Sequence, residues 1–80
     1  MENASYLDTY GWILYKSGKF NEAKEYILKS LAVNPNSAVV NDHMGDIYDA
    51  LKDRTNAFKY WKRASELAPD NQEYKTKLQK

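Results

Sequence analysis

Residues 4–14 read ASYLDTYGWIL, and residues 38–48, which lie 34 positions later, read AVVNDHMGDIY. The two stretches share an alanine, an aspartate, a glycine and an isoleucine at the same places. Three more identities continue this register and end with Pro35 opposite Pro69. Seven identities over 34 positions exceed the roughly two that average composition gives by chance. A fixed period of this length indicates a repeat protein, so the period decides the fold before any single motif does.

Each copy contains two helical patterns separated by a short turn. Apolar residues recur at three- and four-residue steps before Gly18, resume after it, and stop at Pro35. The second copy follows the same order, with its turn near Lys52 and its stop at Pro69. Proline cannot continue a helix interior, so each copy ends there. The pattern predicts helix, turn and helix twice, over residues 4–37 and again over residues 38–71.

Polar residues after the two prolines are predicted to start the following helices. Asn36 and Asp70 can accept hydrogen bonds from the unpaired N–H groups of a first helical turn. Glu73 follows Asp70 by three residues, which is the spacing of a capping box. We therefore expect a fifth helix over residues 71–79, with a thin apolar face, that covers the second copy.

The repeat resembles the tetratricopeptide repeat (TPR), a 34-residue helix-turn-helix unit. The first-helix signature is matched by Leu7, Tyr10, Gly11 and Leu14, and by Asn41, Met44, Gly45 and Tyr48. The second-helix signature is matched by Ala23, Ile27 and Pro35, and by Ala57, Trp61 and Pro69. The resemblance implies an all-α fold, in which two antiparallel hairpins form a right-handed α-solenoid with a capping helix. It covers nearly the whole chain, so residues 1–80 are expected to form a single TPR domain.

Three residues depart from the family pattern. Lys52 stands where the first copy has the turn glycine Gly18, and Arg54 stands where it has the apolar Phe20. Asn41 occupies a position where tryptophan or leucine is usual in the family. We therefore expect the second hairpin to be looser around residues 51–55.

Composition excludes several classes of function. A chain of 80 residues has no room for a large internal cavity, and its net charge of +1 lacks the excess that nucleic-acid binding normally needs. Lys59, Lys62 and Arg63 form a basic cluster that is expected on the convex side, without an aromatic platform for nucleic acid. There is no cysteine, and no apolar run is long enough to insert into a membrane. We predict neither a nucleic-acid partner nor membrane insertion.

The sequence offers little catalytic chemistry. The one histidine, His43, lies beside Asp42 and one helical turn from Asp46, with no nucleophile in the pattern. These residues and Asp49 lie on one helix, and a straight helix cannot wrap a cation. We therefore predict no enzymatic activity, no metal site and no cofactor.

The acidic stripe of the second copy is the most informative polar feature. Asp42, Asp46 and Asp49 lie on one line of a helix, and the same positions in the first copy hold Asp8, Trp12 and Tyr15. The first helices of TPR solenoids line a concave surface, so the resemblance implies an acidic and aromatic groove. We predict a groove that binds a protein or peptide with basic and apolar residues, lined by Asp8, Trp12, Tyr15, Asp42, His43, Asp46, Asp49 and Lys77. The alternative is a solvated acidic face on which a neighbouring repeat covers Trp12.

The two-carboxylate clamp for chaperone C-termini does not fit this chain. That TPR mode requires Lys, Asn, Asn, Lys and Arg at the positions of Asp8, Trp12, His43, Glu73 and Lys77. Only Lys77 is compatible, so the partner is not expected to be a chaperone C-terminal carboxylate.

The first helix predicts a further contact. Apolar residues surround nearly the whole of it, although a terminal helix normally presents a polar outer side. We expect this helix to pack against further TPR repeats of a longer protein or to form a homodimer. The overall prediction is a non-catalytic protein-interaction scaffold; the alternatives are a structural C-terminal cap of a larger solenoid and a self-association module. The resemblance implies a soluble protein, in the cytoplasm or periplasm if it is part of a longer bacterial-type TPR protein, and leaves the compartment open.

Overall fold

A computed structural model describes residues 4–79, which form five α-helices and contain no strand. The helices are α1 (Ala4–Lys16), α2 (Phe20–Val33), α3 (Ala38–Ala50), α4 (Arg54–Leu67) and α5 (Gln72–Lys77). The prediction of an all-α fold is confirmed. α1 packs on α2 and α3 packs on α4, which makes two hairpins. α2 packs on α3 and joins the hairpins, and α5 packs on α4.

The core lies between the two hairpins. Its buried side chains come from the apolar positions of the repeat, and they are Leu14, Ala23, Ile27, Val40, Met44 and Ile47. The second hairpin continues this core with Ala57, Trp61 and Ala64, all of which are buried. Asn41, which departs from the family pattern, is buried as well, and its Nδ2 donates to the backbone oxygens of Pro35 and Ser37. The amide therefore ties α3 to the loop that precedes it.

Two glycines allow the helices of each hairpin to approach closely. A Cβ atom on Gly11 would lie 2.7 Å from Cδ1 of Ile27, and a Cβ atom on Gly45 would overlap the indole of Trp61. Each added Cβ atom would lie closer to the partner side chain than real Cβ atoms do. A larger residue would therefore force that side chain to move. Each glycine thus allows the partner helix of its own hairpin to approach closely.

The two hairpin turns follow the same path in spite of their different residues. Gly18 has φ 81° and Lys52 has φ 68°, so both lie in the left-handed region. In each turn the next residue donates its backbone N–H to the carbonyl five residues earlier, at 2.9 Å. Asp53 also caps α4 by accepting a hydrogen bond from the N–H of Asn56, a contact without an equivalent at the start of α2. The second turn is therefore as well defined as the first, and its greater mobility stays a prediction.

The helix starts lie one residue later than the sequence predicts. Ser37, not Asn36, caps α3 by accepting from the N–H of Val40 at 3.3 Å. Asn71, not Asp70, caps α5 by accepting from the first-turn N–H groups. The prediction of both caps was wrong because the turn after each proline continues through one more residue before the backbone becomes helical.

The fifth helix is present but shorter than the range predicted for it. It covers Gln72–Lys77, and the next two residues continue as a turn with 3₁₀-type hydrogen bonds. Tyr74 is buried, and burial raises the pKa of its phenol. This side chain anchors α5.

Candidate functional site

The candidate residues from the sequence lie together on one surface of the molecule. This surface, called the first-helix face below, is formed by Asp8, Trp12 and Tyr15 of α1, Asp42, His43, Asp46 and Asp49 of α3, and Lys77 of α5. These helices have equivalent places in the repeat, so the period itself brings the side chains to the same side. All eight side chains are partly buried.

Three rings form a stack at the centre of the first-helix face. The Trp12 ring lies 4.6 Å from the Tyr15 ring and 3.9 Å from the His43 ring, and the interplanar angles are 14° and 16°. The ammonium of Lys16 lies 5.4 Å from the centroid of Trp12. Burial raises the pKa of Tyr15, and the nearby carboxylate of Asp46 raises it further. The ring of Trp12 is therefore nearly parallel to the rings of both Tyr15 and His43 and in contact with them.

Asp8 connects α1 to α3 through the histidine. Its Oδ1 lies 2.8 Å from Nδ1 of His43, and both side chains are largely buried. The contact is an ion pair when the imidazole is protonated, and a hydrogen bond when the neutral ring carries its proton on Nδ1. His43 therefore rests on Asp8 and Trp12, which lie one helical turn apart on α1.

Lys77 connects α5 to α3 through two carboxylates. Its Nζ donates to Oδ1 of Asp42 at 2.7 Å and to both oxygens of Asp46, at 3.0 and 3.2 Å. Nε1 of Trp61 also donates to Asp46, at 3.1 Å. The carboxylates of Asp42 and Asp46 therefore accept hydrogen bonds from the ammonium of Lys77 and the indole of Trp61.

The pKa shifts reflect the competition between burial and pairing. Burial raises the pKa of Asp42, and the charge of Asp46 adds to this effect, while the hydrogen bond from Lys77 opposes it. Burial lowers the pKa of Lys77, but hydrogen bonds and charge attraction from the two carboxylates outweigh it, so the pKa is raised overall. The charged ammonium is therefore stabilised in this position.

The two connections repeat one geometry with the period of the chain. His43 rests on residues that precede it by 35 and 31 positions, and Lys77 rests on residues that precede it by the same two intervals. We call each arrangement a clasp: a basic side chain of one first helix held by two residues of the previous first helix. The first clasp consists of Asp8, Trp12 and His43, and the second consists of Asp42, Asp46 and Lys77. Clasps therefore connect successive first helices along the face.

Each of the four aspartates has a partner within the described residues. Asp49 completes the set, since its Oδ1 lies 3.3 Å from Nη1 of Arg54 in an exposed pair. The sequence predicts these residues on one face, with their carboxylates open to a ligand, whereas in the structure each carboxylate already has a partner. The contributions of Arg54 and Trp61 were not predicted from the sequence. A signal for the clasps was present, because an aspartate precedes a basic residue by 35 positions twice in the chain.

Two other surfaces carry exposed side chains. The outer side of α1 exposes Tyr6, Tyr10 and Ile13 around a shallow depression. The outer side of α4 exposes the basic cluster predicted for the convex side, and the exposed ring of Phe58 lies beside it. Within residues 4–79, no group of three or more histidine or acidic side chains is placed to hold a metal ion. No helix in the same range is long and apolar enough to cross a membrane.

Comparison with known proteins agrees with the geometry of the repeats. Two family models, both described as tetratricopeptide repeat, match residues 4–37 and residues 39–71. The two matches meet at the loop between α2 and α3 and together span both hairpins. A search of curated proteins finds no match to the chain.

Proposed function

The chain belongs to the tetratricopeptide repeat family, and we propose that it is a protein-interaction module that binds a peptide segment on the first-helix face. Tetratricopeptide repeats are in general protein-interaction modules, which supports the broad class of function. The observation that carries the finer proposal is the ammonium of Lys77 between Asp42 and Asp46, beside a stack of aromatic rings. The face is thus chemically suited to a basic side chain next to an apolar one.

The chemistry of the face selects the partner. A lysine or arginine of the peptide would meet the aspartates, and a neighbouring apolar or aromatic side chain would pack on Trp12 and Tyr15. An anionic C-terminus would instead meet Asp8 and Glu73, which repel it. The proposed partner is therefore a peptide segment with basic and apolar residues, not an acidic tail.

The proposal is tested with a short fluorescein-labelled peptide in which two lysines flank a phenylalanine. We expect the double variant Asp42→Asn, Asp46→Asn to bind this peptide at least roughly fivefold more weakly than wild type, because charge-assisted hydrogen bonds are lost. The double variant Glu22→Gln, Glu25→Gln on the outer side of α2 changes the net charge equally and should bind like wild type. Equal affinities of all three proteins would rule out an acidic site on the first-helix face.

A second candidate is supported by the outer side of α1. The residues there have equivalents 34 positions later in α3, so the chain itself shows how such a side is covered. Exposure falls from 78%, 44% and 56% at Tyr6, Tyr10 and Ile13 to 6%, 0% and 0% at Val40, Met44 and Ile47. The α3 side chains are buried in the core that α2 and α3 share. The outer side of α1 therefore fits an apolar helix that packs as α2 does, from a further repeat.

A second copy of the chain is less well suited to this position. α5 already packs on α4, where Tyr74 is equivalent to Val40 and is buried to the same degree. α5 therefore covers the face of α4 on which α1 of another molecule would pack in a head-to-tail dimer. A symmetric contact between two α1 helices would rest on only 13 residues per partner, whereas a stable dimer buries roughly 800 Å² per partner.

Sedimentation equilibrium and peptide binding distinguish these occupants. We expect the chain to be monomeric and to bind a labelled peptide that copies residues 19–34, which contain α2. The double variant Tyr6→Lys, Ile13→Lys should lose this binding, whereas Val33→Lys, another exposed apolar position, should retain it. A concentration-dependent dimer that the double variant abolishes would favour the homodimer instead.

A further inference from the structure

The ammonium of Lys77 occupies the most acidic position on the first-helix face. It lies within 3.0 Å of carboxylate oxygens of both Asp42 and Asp46, and none of these three side chains is more than 21% exposed. Two carboxylates that converge on one point hold one ammonium. A lysine from another molecule cannot take this position while Lys77 remains there.

The helix that supplies Lys77 is held by few contacts. α5 has six residues, and helices shorter than about 12 residues are marginal without tertiary packing. The burial of Tyr74 and the clasp of Lys77 provide much of that packing. The main core contains no residue of α5, so both hairpins keep it when α5 leaves. Detachment of α5 is therefore a local opening, of the kind that costs much less than global unfolding.

The equivalent clasp cannot open in this way. His43 occupies the corresponding position on Asp8 and Trp12, but it belongs to α3. α3 lies between two helices and contributes Met44 and Ile47 to the core, so its removal would unfold the protein. The first clasp is thus a permanent connection, and the second clasp is the one that can be released.

We infer that α5 is a tethered occupant of the first-helix face, in which Lys77 holds the position that a lysine of the partner takes. Binding of the partner at Asp42 and Asp46 and docking of α5 exclude each other. This inference rests on the proposed function, and it adds the chemical class of the basic group, a primary ammonium, and the means by which access to it is regulated. The apparent affinity for the partner is the intrinsic affinity multiplied by the fraction of molecules in which α5 is undocked.

The test compares Lys77→Gln with Lys75→Gln, an exposed position on the same helix. Both variants lose one positive charge, and circular dichroism checks that the hairpins are intact. With the labelled peptide in which two lysines flank a phenylalanine, Lys77→Gln should bind roughly tenfold more tightly than wild type. This factor corresponds to a position that is free in about a tenth of wild-type molecules. Lys75→Gln should bind as wild type does.

Hydrogen exchange supplies a second readout in the wild-type chain. Saturation with the same peptide should accelerate exchange of the amides from Tyr74 to Leu78 and leave those of α3 unchanged or slower. Peptide binding without faster exchange in α5 would overturn the inference.

The remaining outcomes separate this inference from the proposed function. Equal binding by wild type and Lys77→Gln would overturn the displacement of α5 and leave peptide binding intact. Weaker binding by Lys77→Gln would make Lys77 part of the partner's site and would also overturn it. Absence of binding in every variant would refute the proposed function, and the inference would fall with it.

Discussion

Lys52 adopts a backbone conformation that favours glycine, with φ 68°. The equivalent residue in the first turn is Gly18, with φ 81°, and the hydrogen bonds around the two residues are the same. A side chain in this region brings Cβ close to the following carbonyl oxygen, which costs about 1–2 kcal/mol. The second turn therefore adopts the same shape with a conformational free-energy cost at Lys52 that Gly18 does not incur in the first turn.

Exchange of residues between the turns should reveal this cost. We expect Lys52→Gly to raise the free energy of unfolding by about 0.5–1 kcal/mol, because relief of strain exceeds the added entropy of the unfolded chain. Gly18→Ala should lower it by about 1 kcal/mol, although no atom lies within 4 Å of the added Cβ. Urea denaturation measures both values. A Lys52→Gly variant less stable than wild type would show that the lysine side chain contributes more than its backbone costs.

Gly45 and Gly11 differ in what an added methyl group would meet. Gly45 faces the buried indole of Trp61, whose Nε1 is bound to Asp46, whereas Gly11 faces the flexible end of Ile27. Alanine gains about 1 kcal/mol over glycine within a helix, and overpacking costs about 1–3 kcal/mol. We expect Gly45→Ala to destabilise the protein by about 1–2 kcal/mol and Gly11→Ala to stay within about 1 kcal/mol of wild type. Thermal and urea unfolding would detect the difference, and equal effects would contradict it.

At the scale of the element, local signals predicted that each helix exists but not where two of them begin. Residues after a proline can cap a helix from more than one position, and the turn geometry selects among them. Ser37 is selected at α3, while the side chain of Asn36 accepts a hydrogen bond from the exposed Arg63 instead. The cap is thus decided by the backbone path and not by residue type alone.

Alanine substitution distinguishes the two candidate caps of α3. We expect Ser37→Ala to lower the free energy of unfolding by about 1 kcal/mol, because a first-turn N–H loses its acceptor. Asn36→Ala should cost only a few tenths of a kcal/mol, since an exposed hydrogen bond contributes little. Urea denaturation of both variants is sufficient. A larger effect at Asn36 would restore the cap that the sequence predicted.

At the scale of the whole molecule, the clasps connect first helices that the period places side by side. The raised pKa of Lys77 gives the stabilising contribution of the second clasp a defined pH dependence. The folded-state pKa of Lys77 lies above its ordinary value of 10.5, so its contribution is present below pH 10.5 and is lost as pH rises through the folded value. Burial also raises the pKa values of Tyr15, Tyr48 and Tyr74 above 10.0, which acts in the same direction.

We therefore expect the free energy of unfolding to fall as pH rises above about 10. Lys77→Gln should show a smaller fall than wild type, and Lys75→Gln should show the same fall. Urea denaturation at about pH 8 and about pH 11 measures the change in each protein. An equal fall in the free energy of unfolding between the two pH values for wild type and Lys77→Gln would show that the second clasp does not contribute to stability in solution.

The sequence also predicted which residues share the first-helix face, but it did not show which of these side chains pair with one another. The period placed Asp8, Trp12 and Tyr15 on the same face as the α3 aspartates, because residues at equivalent places in stacked hairpins point the same way. Their partners are 31 to 35 residues away, and such contacts depend on how the hairpins stack. No rule of local spacing specifies which side chain reaches across that distance.

The sequence alone determined the period, the alternation of helix and turn, the stops at Pro35 and Pro69, and the need for small residues at Gly11 and Gly45. These features depend on backbone conformation and on neighbours within one or two helical turns, which a repeat displays twice. The tertiary structure alone decided that the acidic stripe is paired within the chain and that the outer side of α1 stays exposed. Both outcomes depend on which helix lies on which face, and only the stacked hairpins establish that.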